Sequence, residues 1–394
     1  MTILQALFLI AAALPLPGQT LKVESVPNPS SAASLQANWS ALPDGSALLS
    51  WVEKSGGADS LRYAVRRGSA WSETRTVVAR RHFFHHPAEL PEVIALPGGS
   101  FMAHWVEMPK EGSEAEYLYV AASSDGVRWS APMIGHKDRS LVQHGLGSMV
   151  ASGPAEASLI WLEALKGEDG PVSLKRTVLT AEGGNPKIAK EETLDSDVCA
   201  CCPTSVIRTT KGLLVAYRDH TPGDIRDIAT IRFENNTWSP SKIIHPDQWK
   251  INACPINAAA TAAKGANVAV AWYTAAQDKT NDKPRAQLAL STNGGVTFSK
   301  PVLVSTGSAY GYTSVAVDDA GGAYVSWLER SGNAARVLVR HVTANGTAGP
   351  AAQAGQGERE SLGYPRLIRT GNETWIVWGN SDNGSKIQTA RLTP

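Results

Sequence analysis

The sequence predicts an all-β chain folded as a seven-bladed β-propeller, and a repeated phrase is the main reason. An aromatic residue closes a short apolar run seven times, at Trp51, Trp105, Trp161, Tyr217, Trp272, Trp327 and Trp378. These positions are separated by 54, 56, 56, 55, 55 and 51 residues, a period typical of stacked or radial repeats. Each run alternates in polarity behind a Gly-containing turn, which indicates a β-strand. Six blades are the alternative, if one phrase lies outside the ring.

One repeat shows how a blade is built. Residues 92–96 and 100–106 are predicted strands around a Pro-Gly-Gly turn, residues 117–121 are a third strand, and a fourth follows Trp129. Four short antiparallel strands per repeat are the pattern of a propeller blade, in which radial repetition leaves only short edges.

The two ends of the chain are predicted to close the ring together. The seventh repeat supplies strands near 367–368, 374–378 and 386–392 but no fourth, whereas residues 21–26 form a strand before the first full repeat. We expect these two end segments to pair. The predicted blades span roughly 30–80, 88–138, 145–197, 200–248, 252–306, 310–357 and 361–394 with 21–26, in one domain over 19–394.

Composition and the N-terminus narrow the setting of the protein. A formal net charge of +1 argues against a nucleic-acid partner attracted by bulk charge. The apolar run at 7–14 is too short to span a membrane, so residues 1–18 are predicted to be a signal peptide. We therefore expect a secreted or periplasmic protein without a membrane span, and a monomer.

Two turns carry a resemblance to a known family. Residues 291–298 (S-T-N-G-G-V-T-F) and 123–129 (S-S-D-G-V-R-W) resemble the Asp-box, or BNR repeat, of sialidase-like propellers. The resemblance implies glycan recognition or glycoside hydrolysis, and an exo-glycosidase if the protein is an enzyme. The arginine triad of catalytic sialidases has no recognisable match, because the nearest phrase, Tyr364-Pro365-Arg366, lies in the last repeat with its order changed. Catalytic residues are therefore not assigned.

An acidic residue returns two positions after most of the repeated aromatic residues. It is found at Glu53, Glu107, Glu163, Asp219 and Glu329. General acid–base catalysis needs one or two carboxylates in special environments. A carboxylate that recurs in five of the seven repeats therefore indicates a structural role at a blade edge or turn, rather than a ring of catalytic groups.

Histidine and cysteine are predicted to gather on one face of the propeller. The strand order places seven of the nine histidines there: His82, His85, His86, His136, His144, His220 and His245. All four cysteines, Cys199, Cys201, Cys202 and Cys254, fall on the same face. This segregation predicts a ligand site on the Cys/His-rich loops.

The cysteines leave two interpretations open. Export and an even count favour a disulfide, between Cys202 and Cys254 or in another pairing. Sulfur with imidazole also suits copper or zinc. The candidate metal ligands are His85, His86, His144, Cys199, Cys201, Cys202 and Cys254.

The fourth repeat adds candidates for binding a small molecule or glycan. Arg218 and Arg226, with Asp219 and His220 between them, could grip an anionic group, or could form an ion-pair lattice in a long loop. Trp249 is either a sugar-stacking platform or a plug. The remaining ligand-binding candidates are Tyr312 and Arg366.

Three hypotheses for the function follow from these patterns. The resemblance implies glycan recognition or cleavage. The cysteine and histidine cluster predicts a copper- or zinc-binding or redox protein. The third hypothesis is a non-catalytic interaction scaffold.

Overall fold

The computed structural model describes residues 20–394 except 32, 111, 114, 166–169, 278–281, 383 and 385. The predicted signal peptide, residues 1–18, lies outside the described residues. The described part consists of thirty β-strands and one short 3-10 helix, Arg359–Ser361. Within it, no helix has the length and apolar character needed to cross a membrane.

Seven antiparallel sheets confirm the predicted seven-bladed propeller. The first strand, β1 (Lys22–Val26), belongs to the last sheet. Blade 1 contains β2 (Ser34–Ala41), β3 (Ala47–Glu53), β4 (Asp59–Arg67), β5 (Ala70–Trp71) and β6 (Arg75–Arg80). Blade 2 contains β7 (Glu92–Ala95), β8 (Phe101–Glu107), β9 (Tyr117–Ser123) and β10 (Met133–Ile134). Blade 3 contains β11 (His144–Gly153), β12 (Glu156–Ala164), β13 (Val172–Glu182) and β14 (Asn185–Asp195).

The remaining four blades repeat this plan. Blade 4 contains β15 (Ser205–Thr209), β16 (Gly212–Arg218), β17 (Ile228–Glu234), β18 (Thr237–Trp238) and β19 (Lys242–Ile243). Blade 5 contains β20 (Ala260–Lys264), β21 (Asn267–Thr274), β22 (Arg285–Ser291) and β23 (Val302–Leu303). Blade 6 contains β24 (Ala309–Val317), β25 (Ala323–Ser331), β26 (Ala334–Val342) and β27 (Ala352–Glu358). Blade 7 contains β28 (Arg366–Thr370), β29 (Glu373–Asn380), β30 (Lys386–Thr393) and β1.

The ring closes where the sequence predicted. Strand β1 pairs antiparallel with β30, from Lys22 opposite Thr393 to Val26 opposite Thr389. Side chains reinforce the pairing, since the Thr389 hydroxyl donates to the Val26 carbonyl at 2.6 Å. The N-terminal segment therefore covers an edge of blade 7 that would otherwise offer unpaired backbone groups.

The repeated aromatic residues form the core between blades, and the repeated acids support them. Trp51, Trp105 and Trp327 are fully buried. Each donates its indole N–H to the carboxylate two positions later in its own strand, at 3.1, 2.6 and 2.9 Å to Glu53, Glu107 and Glu329 respectively. A buried indole N–H needs an acceptor, so these three carboxylates have a structural role.

The Asp-box turns adopt the geometry that their sequences predict. The Asp125 carboxylate accepts the backbone N–H groups of Val127 and Arg128, both at 2.8 Å. The Asn293 side-chain oxygen does the same for Val296 and Thr297, at 3.2 and 3.0 Å. Asn thus replaces Asp in this turn because only an acceptor oxygen is required.

The first strand of each blade lines a central channel. Strands β2, β7, β11, β15, β20, β24 and β28 surround a cavity of about 460 Å³. Arg366 lies in this channel and donates its Nε to Asn38 Oδ1 at 2.9 Å. The loops that lead into these strands form one mouth of the channel, and they carry the cysteines.

Candidate functional site

Three cysteine sulfurs converge in the loop between β14 and β15. The sulfurs of Cys199, Cys201 and Cys202 all lie within 4.8 Å of one another, and those of Cys199 and Cys202 are 3.4 Å apart. The loop is fixed at both ends, because the Cys199 N–H donates to the Arg218 carbonyl at 3.1 Å and the Thr204 N–H to the Leu146 carbonyl at 3.0 Å. We call Cys199, Cys201 and Cys202 the thiol cluster.

The thiol cluster is buried at one end and open at the other. Cys199 and Cys202 are 1% and 2% exposed, Cys201 is half-buried, and Cys254 from the loop before β20 is exposed. A hydrogen bond from Cys201 lowers the pKa of Cys254 to about 7. Cys254 thus joins the cluster through Cys201 on the solvent side.

All four cysteines are free thiols, so the predicted disulfide between Cys202 and Cys254 is not formed. Neither this pairing nor another is shown among the four cysteines. Cys254 contacts Cys201, whereas the position beside Cys202 Sγ is taken by the backbone N–H of Asn257, which donates to it at 3.4 Å.

Two arginines place positive charge beside the sulfurs. Arg226 donates Nη1 to Cys199 Sγ at 3.3 Å. Hydrogen bonds from Cys201 and Cys202, together with the positive charge of Arg218, hold the pKa of Cys199 well below its usual range. Burial raises the pKa of Cys202 to about 12. The cluster therefore favours a thiolate at Cys199, where the arginines lie.

Arg218 holds the loops of the site together instead of facing a ligand. It is 1% exposed, and its three guanidinium nitrogens donate to the backbone carbonyls of Asn257, Arg226 and Tyr273 at 3.2, 2.7 and 2.8 Å. Its guanidinium also lies over the Trp249 ring, 4.8 Å from the centroid. These bonds to backbone carbonyls, together with the burial of the side chain, favour the structural alternative for Arg218 over binding of an anion.

The sequence contains a signal for this structural role of Arg218. Position 218 follows the repeated aromatic residue, and in four sibling blades the matching residue is apolar and buried: Val52, Val106, Leu162 and Leu328. An arginine at a core position of the repeat must find buried acceptors. The long loop of blade 4, the loop that enters blade 5 and strand β21 provide these acceptors.

Arg218→Ala is expected to destabilise the protein by about 3 kcal/mol or more, because three buried carbonyls lose their donor. Urea unfolding measures the change. Arg208→Ala is the matched control, since Arg208 is exposed and donates to the Ser152 carbonyl at 3.1 Å. That control should stay within about 0.5 kcal/mol of the wild type. Equal free energies of unfolding for Arg218→Ala and Arg208→Ala would contradict the role of Arg218 in holding the loops together.

The histidines pair with aspartates rather than with the cysteines. His85 Nε2 lies 2.6 Å from Asp59, His144 Nε2 lies 2.9 Å from Asp138, and His220 Nδ1 lies 2.8 Å from Asp197. Among the described residues, the metal-ligand groups that converge are the thiol cluster and a separate set of Asp138, His144 and Glu163. Within the described residues, the sulfurs of the thiol cluster thus converge without the histidines of the predicted mixed set.

The other predicted ligand residues lie around the same mouth in different environments. His86 stacks on Phe84 with ring centroids 5.9 Å apart, and burial lowers its pKa. Burial and the charge of Asp195 raise the pKa of Asp219 to about 6. Trp249 is buried under Arg218, which favours the plug over the sugar platform.

Two aromatic rings join the thiol cluster to blades 6 and 7. Tyr312 stacks on Tyr364 with ring centroids 3.8 Å apart and an interplanar angle of 11°. Tyr364 is buried, and its hydroxyl donates to the Ile256 carbonyl. The side-chain oxygen of Asn257 accepts the Tyr312 N–H at 2.8 Å. Asn257 was not predicted from the sequence as part of the site, because no repeated motif marks its position.

A pair of buried carboxyl groups lies at the mouth of blades 2 and 3. Glu89 is 2% and Glu116 is 9% exposed, and the oxygens of both lie so close to the Cα of Gly145 that a side chain there would collide with them. Glu89 accepts the Leu146 N–H, whereas Glu116 Oε2 is buried without a hydrogen-bond partner. Burial raises the pKa of Glu116 to about 7, and burial together with the charge of Glu116 raises that of Glu89.

This pair predicts that stability falls as the pH rises from about 4.5 to about 7. The folded-state pKa of Glu116 lies above its ordinary value of 4.5, so its contribution is present below pH 4.5 and is lost as the pH rises through about 7. The loss is on the order of 3 kcal/mol. Glu116→Gln should flatten the stability profile over this range, and the exposed control Glu182→Gln should not. A profile that Glu116→Gln leaves unchanged would contradict the assignment.

The closed ring of seven sheets with Asp-box turns defines an Asp-box β-propeller. Residues 58–375 match the family model described as BNR repeat-like domain, so the chain belongs to this family. A search of curated proteins gives no significant match.

Solved structures with the same fold are distant in sequence. A protein of unknown function from Dyadobacter fermentans has 12% identity and a TM-score of 0.50, with 96% of this chain and 99% of that chain covered. An α-L-arabinofuranosidase of Fusarium graminearum, in complex with arabinobiose, has 11% identity and a TM-score of 0.50, with 94% and 96% covered. The K499G mutant of NanB sialidase from Streptococcus pneumoniae has 14% identity and a TM-score of 0.45, with 97% and 71% covered. At these identities the likeness concerns the fold alone.

Proposed function

We propose that this protein binds a soft metal ion, Cu(I) or Zn(II), through the thiolates of Cys199, Cys201 and Cys202. The convergence of three sulfurs within 4.8 Å carries the proposal. A metal–sulfur bond of about 2.3 Å separates the sulfurs of a trigonal or tetrahedral site by about 4 Å. The thiol cluster therefore needs only small side-chain rotations to surround one ion.

The surroundings of the sulfurs favour Cu(I). Thiolates select Cu(I) and zinc over harder ions. Three thiolates around a monovalent ion leave two negative charges, and Arg226 and Arg218 supply two positive charges beside Cys199. The N–H groups of Arg226 and Asn257 that donate to sulfur also orient the ligands, a role on which metal affinity commonly depends.

Competition titration of the reduced protein under anaerobic conditions tests the proposal. Cu(I) and Zn(II) are each titrated against a chelator of known affinity. We expect one tightly bound ion per chain, and none in a variant with all four cysteines changed to serine. Binding of equal affinity and stoichiometry in that variant, or no binding by the wild type, would overturn the proposal.

The proposal includes the setting predicted from the sequence. Residues 1–18 would direct export of the protein to the periplasm or the exterior. There the protein would be a monomer. An exported protein with free thiols needs protection from oxidation, and burial of Cys199 and Cys202 supplies it. Fractionation of cells that express the full chain, with N-terminal sequencing, tests export.

A second candidate function is glycan binding, favoured by a separate cleft. A cavity of about 230 Å³ opens at the same mouth, beside His85, His86, Glu360 and Tyr364. The family and the arabinobiose complex of the Fusarium enzyme support a carbohydrate ligand here. Calorimetry with arabinobiose and with a sialoside tests this candidate. If the variant with all four cysteines changed to serine still bound a sugar, the binding would be assigned to the cleft. If neither sugar gave a heat of binding, glycan binding would lose the support of both sugars.

A further inference from the structure

We propose that Cys254 is the exit ligand of the metal site, which takes the ion from the thiol cluster and passes it to a protein that offers thiolate ligands. The inference rests on the proposed metal binding. It goes beyond storage of an ion, because it states by which route the ion leaves the site and what kind of partner binds at the surface around Cys254.

The four sulfurs form a path from the interior to solvent. Cys199 and Cys202 are almost completely buried, Cys201 is half-buried, and Cys254 is exposed and lies within interaction range of Cys201. An ion held by the thiol cluster alone would have two of its three ligands in the interior. Bound between Cys201 and Cys254, it lies at the surface.

The step balances without a redox change. A bond forms between the metal and Cys254 Sγ, while the bonds to Cys199 Sγ and Cys202 Sγ break. Cys254 gives up its thiol proton when it binds, and a vacated sulfur accepts one. The oxidation state of the ion is unchanged, so no oxidant or reductant is needed. The acceptor's thiolates then replace Cys201 and Cys254 in the same way.

Cys199 and Cys202, at the buried end of the path, have hydrogen-bond donors that stabilise their sulfurs after the ion has left. The Arg226 guanidinium donates to Cys199 Sγ and the Asn257 N–H donates to Cys202 Sγ. The carbonyls that Arg218 holds keep both donors in place. The sulfurs therefore retain hydrogen-bond partners when the metal has left, and the empty site does not collapse.

The segment before Cys254 is open to a partner. Lys250, Asn252, Ala253 and Cys254 are all exposed. Two hydrogen bonds hold this segment in place. The Ile251 N–H donates to the Asp224 carbonyl at 2.9 Å, and the Arg226 Nε donates to the Ile251 carbonyl at 3.0 Å. A rigid loop that presents one thiol is suited to a brief exchange contact.

Transfer kinetics test the inference. The full chain is loaded with Cu(I) under anaerobic conditions, and transfer is followed to a peptide with a Cys-x-x-Cys pair and, separately, to glutathione. We expect Cys254→Ser to keep one Cu(I) per chain but to transfer it to the peptide about tenfold or more slowly, because exchange depends on an accessible thiolate. Ala253→Ser, the exposed neighbour, should transfer at the wild-type rate.

The outcomes separate the two claims. Equal transfer rates for Cys254→Ser and the wild type would overturn the exit role while metal binding stands. If Cys254→Ser slowed transfer to glutathione but not to the peptide, the inference that the acceptor is a protein would be overturned. Absence of bound Cu(I) from the wild type would overturn the proposed function, and the exit role with it.

Discussion

Replacing Cys199 by serine should weaken Cu(I) binding by at least about 100-fold, because loss of a ligand should exceed the 10- to 100-fold effect typical of its hydrogen-bond partners. Cys199 is the cluster sulfur that accepts from Arg226 and whose pKa lies well below its usual range. It is therefore the thiolate that the protein stabilises most. Cys202→Ser should act in the same direction, and competition titration measures both.

A histidine variant of the same blade tests whether an imidazole outside the predicted ligand set also contributes to metal binding. His220 belongs to the same blade but pairs with Asp197 and Asp224. His220→Gln should bind Cu(I) with wild-type affinity. A large loss of affinity in His220→Gln, or wild-type affinity in Cys199→Ser, would contradict the assignment of ligands.

Deleting residues 20–28 should cost about 5 kcal/mol or more, since it removes the ladder of β1 with its hydrogen bonds and the burial of one leucine. Leu21 is 4% exposed, and the five residues of β1 pair with β30. A loss of this size is a large part of the stability of an ordinary domain. Thermal unfolding measures it, and aggregation should accompany it because the edge of β30 is opened.

Two controls test whether closure is the cause. Lys22→Ala, at an exposed position of the same strand, should leave the unfolding temperature almost unchanged. A synthetic peptide covering residues 20–28 should restore part of the lost stability by pairing with β30. An unfolding temperature that the deletion leaves unchanged would show that β1 does not close the ring.

The architecture was predictable because it repeats. Seven aromatic positions at an almost fixed period specify the blades, and the three strands of the last repeat specify the need for β1. The Asp-box turns were predictable from the same regularity, since each depends on one acceptor oxygen and the backbone next to it. Because the pattern recurs in seven blades, an irregularity in one blade does not obscure it. The fold could therefore be predicted from the sequence.

The site was predictable only as far as the face on which it lies. Strand order assigns a loop to a face, but the pairing of side chains depends on the path of each loop. The Ile256–Asn257 segment brings a backbone N–H to Cys202 and leaves Cys254 beside Cys201. The candidate histidines lie apart from the sulfurs for a similar reason, because His85 and His144 pair with aspartates and His86 stacks on Phe84. No spacing in the sequence encodes these contacts.

X-ray absorption spectroscopy at the copper edge of the Cu(I)-loaded, reduced wild type tests the central claim most directly. The account predicts a first shell made only of sulfur, with about three ligands as in a small thiolate site, and no outer-shell scattering from imidazole. A first shell with nitrogen or oxygen, accompanied by imidazole scattering, would contradict it.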